Sequence, residues 1–222
     1  MSRIVLKLGG RVAAAAAAEA RRFVDDGHAV VVVHGAGPQI SSELERLGIP
    51  VSFVDGRRVT DERTLAVVRA SLRAVGAEVS AALGPAAVPL VGDEIGLEAV
   101  PVPGLGLVGE PLPCRPPVVE ELLEQGKIPV IAPIAVGPLN VNADEAASAL
   151  AVGLGAARLV FVSDVPGVYL DGVVAKRIDV GHADRLLDEG VLEGGIVPKL
   201  LAAARAARLG VPAAIGETEV AA

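Results

Sequence analysis

The chain has 222 residues, a formal net charge of −7, no Trp, one Tyr and three Phe, long enough for one domain, or two lobes on one sheet, with a core of Val, Leu, Ile and Ala. The acidic balance and scarce aromatic platforms exclude base-stacking nucleic-acid modules, and no window approaches a membrane span. A single Cys114 admits no internal disulfide, so a reducing, cytoplasmic compartment is expected.

Residues 1–20 are not a secretory signal, because Lys7, Gly9, Gly10 and Arg11 interrupt any apolar stretch. Apolar β-rich runs at 3–8, 29–33, 88–91, 128–132, 158–163 and 211–215 alternate with helical stretches at 12–26, 38–47, 61–83, 117–125, 143–154, 182–189 and 197–209. This alternation predicts an α/β fold, a three-layer αβα sandwich around a central, mainly parallel sheet. Residues 92–116, rich in Gly and Pro, predict a local insertion with a hairpin formed by 97–102 and 105–108.

Two β-branched strands run directly into glycines, at Leu8-Gly9-Gly10 and at His34-Gly35-Ala36-Gly37-Pro38. A strand, a glycine turn and a helix together present free N–H groups beside a positive helix end, where an anionic oxygen can be held. A sharp turn would use the same residues, so these glycines acquire meaning only from their partners.

Arg57 and Arg58 follow in a turn that leads to a helix capped by Thr60 or Asp61. An arginine there can fork onto a carboxylate, the alternative being a solvated surface charge. Asn140 and Asn142 alternate on one strand face and can share one ligand, while Asp144 opens an alanine-rich helix and can orient an ammonium group. Helix capping alone would also explain Asn142 and Asp144.

The strand at 158–163 ends in Ser163 and Asp164, at the edge where open α/β sheets bind ligands. The Asp171-Gly172 turn that follows reads as part of a nucleotide platform or as an ordinary hairpin. Behind Gly194 and Gly195, Lys199 lies in the first turn of a helix. A cation at that place costs about 0.3–1 kcal/mol against the helix dipole, and a bound anion would remove the conflict. No His-x-x-x-His or Cys-x-x-Cys spacing supports a protein metal cage.

Taken in order, Lys-Leu-Gly-Gly, His-Gly-x-Gly-Pro, Gly-x-Arg-Val-Thr, Asn-Val-Asn-Ala-Asp, Ser-Asp-Val-x-Gly-Val and Gly-Gly-x-x-x-Lys run from Lys7 to about Gly210. The set resembles the amino acid kinase family. The resemblance implies ATP-dependent phosphorylation of the side-chain carboxylate of N-acetyl-L-glutamate, a step of arginine synthesis, with Mg²⁺ carried on the nucleotide. Other readings are a related N-protected acceptor, such as a 2-aminoadipate derivative, or a non-catalytic amino-acid or nucleotide sensor of the same fold.

By that resemblance Lys7 and Lys199 hold the transferring phosphoryl group and Asp144 arranges them. Gly35, Ala36, Gly37, Arg58, Asn140 and Asn142 bind the acceptor, and Gly9, Gly10, Ser163, Asp164, Tyr169 and Gly195 serve the nucleotide and its phosphates. Residues up to about 155 would form an acceptor lobe and those from about 156 a nucleotide lobe, shortened after Ile215 with a cost to ATP affinity. Ala36 stands where the family more often has glycine, and a positive φ there would cost on the order of 1 kcal/mol. A homodimer without arginine feedback is expected.

Overall fold

The computed structural model describes residues 1–9, 13–162 and 165–222, excepting the side chains of 13–16. In chain order the elements are β1 (Arg3–Leu8), α1 (Ala13–Asp25), β2 (Ala29–His34), α2 (Gly37–Arg46), β3 (Phe53–Val54), β4 (Arg57–Arg58), α3 (Glu62–Leu83) and β5 (Ala87–Val91). A 3₁₀ turn at Gly92–Glu94 leads to β6 (Ala99–Pro101), β7 (Val108–Pro111), α4 (Pro117–Glu124), β8 (Ile128–Ala132), β9 (Ile134–Ala135), β10 (Leu139–Val141), α5 (Ala143–Gly153) and β11 (Arg158–Val162). The chain continues through β12 (Tyr169–Leu170), β13 (Val173–Val174), β14 (Arg177–Asp179), α6 (Val180–Asp188), α7 (Ile196–Arg208), β15 (Ala213–Ile215) and β16 (Thr218–Ala221).

Among the described residues these strands form an eight-stranded sheet in the order β14-β16-β15-β11-β1-β2-β8-β5, a four-stranded sheet in the order β6-β7-β10-β9, and the hairpins β3–β4 and β12–β13. The large sheet is parallel from β5 to β15, and β16 turns back antiparallel to β15. The α/β architecture expected from the alternation is therefore present. β14 and β16 escape sequence reading because each is short and mixes charged with apolar residues.

Strand periodicity decides what each helix layer meets. Ile4, Leu6, Leu8, Val30 and Val32 pack with Phe23 of α1, Ile40 and Leu44 of α2 and Val68 and Val75 of α3. Val5, Val31, Val33 and Phe161 pack on the opposite face with Ala147 and Leu150 of α5 and Leu200 and Ala203 of α7. Lys7, two residues beyond Val5, thus falls on the α5–α7 face, whereas His34, in register with Leu8, falls on the α3 face.

Two expectations change. Residues 92–116 do not form a separate insertion, because β7 pairs with β6 and also runs parallel to β10, with Asn140 opposite Val108. The segment after Ile215 also serves the large sheet: Val168 N–H donates to Thr218 Oγ1 at 2.8 Å and Glu217 N–H to the Pro166 carbonyl at 2.7 Å. A Cβ on Gly167 would lie 2.6 Å from Thr218 Oγ1, so this contact requires glycine. No described helix is long and apolar enough to cross a membrane.

Candidate functional site

Lys7, the next-to-last residue of β1, and Asp144, in the first turn of α5, are both buried, with Nζ 2.8 Å from Oδ1. The angles fall outside hydrogen-bond geometry, so the contact is an ion pair. Lys199 Nζ stands 3.8 Å from the other carboxylate oxygen and donates to the Gly195 carbonyl at 3.2 Å. Among the described residues Asp144 thus lies between two ammonium groups that line a cleft of about 480 Å³. Asp144 also eases the conflict between Lys199 and its helix dipole. Asp144 is itself favoured at a helix N-terminus, where Asn142 Oδ1 accepts from the N–H groups of Asp144 and Glu145.

The described helix starts are of different kinds, and those of α2, α5 and α7 line the cleft. α3, α5 and α6 begin with side-chain caps from Asp61, Asn142 and Asp179. α2 and α7 begin at Ala36 and Gly195 with no side-chain cap in the described residues, and both residues line the cleft. An uncapped helix start beside lysine side chains suits an anion, although Pro38 and Pro198 each remove one first-turn N–H and Val197 N–H already donates to the Gly194 carbonyl at 3.4 Å.

The glycines agree with that role. A Cβ at Gly37 or Gly195 would meet nothing within 4 Å, and neither residue has a positive φ. Among the described residues neither backbone nor packing demands glycine there, which agrees with access for a ligand. Two details are corrected. Ala36 has φ −138°, so its methyl is unstrained. Gly9 and Gly35 N–H groups already donate, at 3.4 and 3.3 Å, to the Val162 and Leu8 carbonyls.

Arg58 is not a solvated surface charge. It is 7% exposed, stacks 4.6 Å from the Phe53 ring centre, and donates Nη2 to Ser41 Oγ at 2.9 Å. Its Nη1 is buried without a partner, and burial pushes the guanidinium below its ordinary range. A buried cation with an open donor is a receptor for a carboxylate.

Arg58 is presented by the β3–β4 hairpin, whose turn residues Asp55 and Gly56 both have positive φ, as a tight Asp-Gly turn requires. Asn140 lines the same cleft and donates Nδ2 to Thr60 Oγ1 at 3.0 Å. Asn142, still extended directly after β10, lines the same cleft as Asn140. It follows the end of β10, caps α5, and directs Nδ2 to the Gly56 carbonyl at 3.3 Å.

A second cleft of about 540 Å³ adjoins the first through Gly195 and Lys199, which line both. Its other walls include Val165, Tyr169, Val191, Leu192 and Ile196, a largely apolar set. Gly10, Ser163 and Asp164 lie outside the described residues. Burial pushes the Cys114 thiol above its usual range, which disfavours the thiolate.

Sequence reading passed over Ser41, Phe53 and the partners of Arg57. Arg57 makes a two-bond contact with Glu145 at 3.0 and 3.1 Å, across 88 residues of chain. No local spacing signals such a pair.

The chain matches the amino acid kinase family over residues 2–217. It is 42% identical to the acetylglutamate kinase of Rubrobacter xylanophilus, over 97% of this chain and 88% of that protein. The acetylglutamate kinase of Geobacillus kaustophilus is 38% identical, over 90% and 83% of the two chains. Among solved structures, smu.665 of Streptococcus mutans superposes with a TM-score of 0.87 at 29% identity, over 99% of this chain and 98% of that one.

Proposed function

The chain belongs to the amino acid kinase family, and on that premise we propose that it transfers the γ-phosphoryl group of ATP to the side-chain carboxylate of N-acetyl-L-glutamate, as an acetylglutamate kinase. The main support is the junction at Lys199, where a cleft with a buried, open guanidinium meets an apolar cleft over two lysines that share Asp144. The acetylglutamate kinases at 42% and 38% identity support the choice of acceptor.

The acceptor carboxylate is already ionised, so the reaction needs no general base and catalysis reduces to positioning and charge neutralisation. In this reading Arg58 holds the α-carboxylate, Asn140 the acetamido group, and the α2 start at Gly37 orients the attacking carboxylate. Lys7 and Lys199 bind the equatorial oxygens of the moving phosphoryl group, and Asp144 keeps the two ammonium groups from repelling each other. Asn142 acts through the α5 cap, as a positioning residue.

Among the described residues no three His, Cys, Asp or Glu side chains converge as a metal cage, and Asp144 is engaged by two lysines, which fits Mg²⁺ carried on the ATP phosphates. ATP and Mg²⁺ supply the phosphoryl donor and neutralise its charge. Residues up to about 155 serve mainly the acceptor and those from about 156 mainly the nucleotide, with a cytoplasmic homodimer as the working form.

The test is ADP release with ATP and Mg²⁺ against acetylglutamate, acetyl-2-aminoadipate and no acceptor. Release that depends on acetylglutamate and exceeds that with the longer acid is expected; one methylene is worth roughly 10–200-fold in a fitted pocket. Equal release in all three arms contradicts the reading.

A further inference from the structure

Arg57 occupies the variable position of Gly-x-Arg-Val-Thr, beside Arg58, yet it is the better-bonded of the two. Its Nε and Nη2 reach both oxygens of Glu145 at 3.0 and 3.1 Å, with the side chains 19% and 10% exposed. Nη2 also stands 3.5 Å from Glu110 Oε2, and Glu110 Oε1 accepts from Arg205 Nη1 at 2.9 Å. Glu110 thus spends one oxygen on the acceptor hairpin and the other on α7.

Each member is attached to a residue of the reaction site. Arg57 precedes Arg58 on β4, Glu145 follows Asp144 on α5, and Arg205 shares α7 with Lys199. Glu110 sits on β7, next to the strand that carries Asn140. An ion pair between two neighbouring surface residues would touch one element; this set touches four, and its members come from positions 57, 110, 145 and 205. Mutual orientation of those elements is what such a network can supply.

We propose that Arg57 and Glu110 are positioning residues that couple seating of the acceptor under the β3–β4 hairpin to the placement of Lys199. The hairpin, held on α5 through Glu145, bears on Glu110, and Glu110 bears on α7 through Arg205. The coupling rests on the proposed phosphoryl transfer for its meaning, but its physical core is that a change at Arg205 reaches the hairpin.

Two readouts test it. In hydrogen–deuterium exchange, Arg205→Leu speeds exchange at residues 53–58 and Arg57→Leu speeds it at residues 200–208, within α7, while Arg205→Lys restores most of the protection. Exchange changes confined to the mutated residue's own element overturn the proposal, whatever the activity. In kinetics, each single variant and Glu110→Gln lowers kcat about tenfold, and the Arg57→Leu/Arg205→Leu double variant is no slower than the worse single, because the arginines act through one carboxylate. Fold-losses that multiply, or a lowered Tm with kcat unchanged, overturn it with the kinase reading intact. A wild-type chain inactive with acetylglutamate overturns that reading instead, and leaves the exchange result to judge the coupling.

Discussion

The cleft around Arg58 sets buried charge and hydrogen-bonded amides among apolar side chains such as Ile40, Phe53 and Leu72, whereas the one around Tyr169 has, among the described residues, no buried arginine and joins Val165, Val191, Leu192 and Ile196 to Glu193 and Lys199, with Tyr169 52% exposed. A small dicarboxylate offers little apolar area, so a site for it must be built from fixed donors whose desolvation is already met by the fold. A nucleotide offers a flat base, and apolar walls of tolerant shape suffice for that end. Lys199, on the border, belongs to neither recognition task and to the reaction itself.

The largest effect should therefore come from the border. Lys199→Ala is expected to lower kcat by about 10²–10³, the usual cost of one transition-state donor, with acetylglutamate and ATP affinities within a few-fold of wild type by calorimetry. A large loss of acetylglutamate binding with kcat retained would move Lys199 into the acceptor cleft and break the comparison.

Acid tests the strand that leads into the acceptor loop next, because β2 ends in a buried imidazole on its α3 face. His34, directly before Gly35, is 1% exposed, and burial pushes its pKa down to about 4. Between roughly pH 6.5 and 4 the unfolded chain takes up a proton that the folded chain refuses, so stability falls as pH falls through that window, by roughly 3 kcal/mol in all. Urea unfolding of wild type and His34→Gln across this window should show a steeper fall in wild type, since carboxylates such as Glu120 and Glu217, held below their ordinary range by cationic partners, titrate in both. Parallel slopes would mean that His34 finds a proton-holding partner in the fold.

The smaller effects divide the two substrates. Arg58→Ala should raise the acetylglutamate KM roughly 10- to 100-fold through loss of a charged hydrogen bond, with the ATP KM unchanged. Tyr169→Ala should do the reverse and more weakly, raising the ATP KM about fivefold by loss of a partly exposed base contact. Effects of either variant on both constants would show that the clefts are not separate recognition sites.

The acceptor side could be read from the sequence because its chemistry is local. Asp144 is marked by its place at a helix start and Lys199 by its conflict with the helix dipole, whereas Lys7 is marked by the family resemblance. What escaped is non-local: the Arg57–Glu145 contact, the Thr60–Asn140 bond that fixes an amide, and the joining of β7 to β10, which turns an expected insertion into a wall of the cleft. Asn142 meets both sequence readings at once, lining the cleft beside Asn140 while its side chain caps α5. Ala36 is not legible in the same way, since a glycine-rich motif suggests positive φ and only the backbone shows φ −138°.

The central claim, that the carboxylate held opposite Lys199 receives the phosphoryl group, is tested most directly by trapping the product with hydroxylamine. An acyl phosphate gives a hydroxamate, and the account predicts hydroxamate formed in a one-to-one ratio with ADP, dependent on acetylglutamate and absent in Lys199→Ala on the wild-type time scale. ADP released without hydroxamate would contradict it, since the phosphoryl group would then have gone to water or to another oxygen.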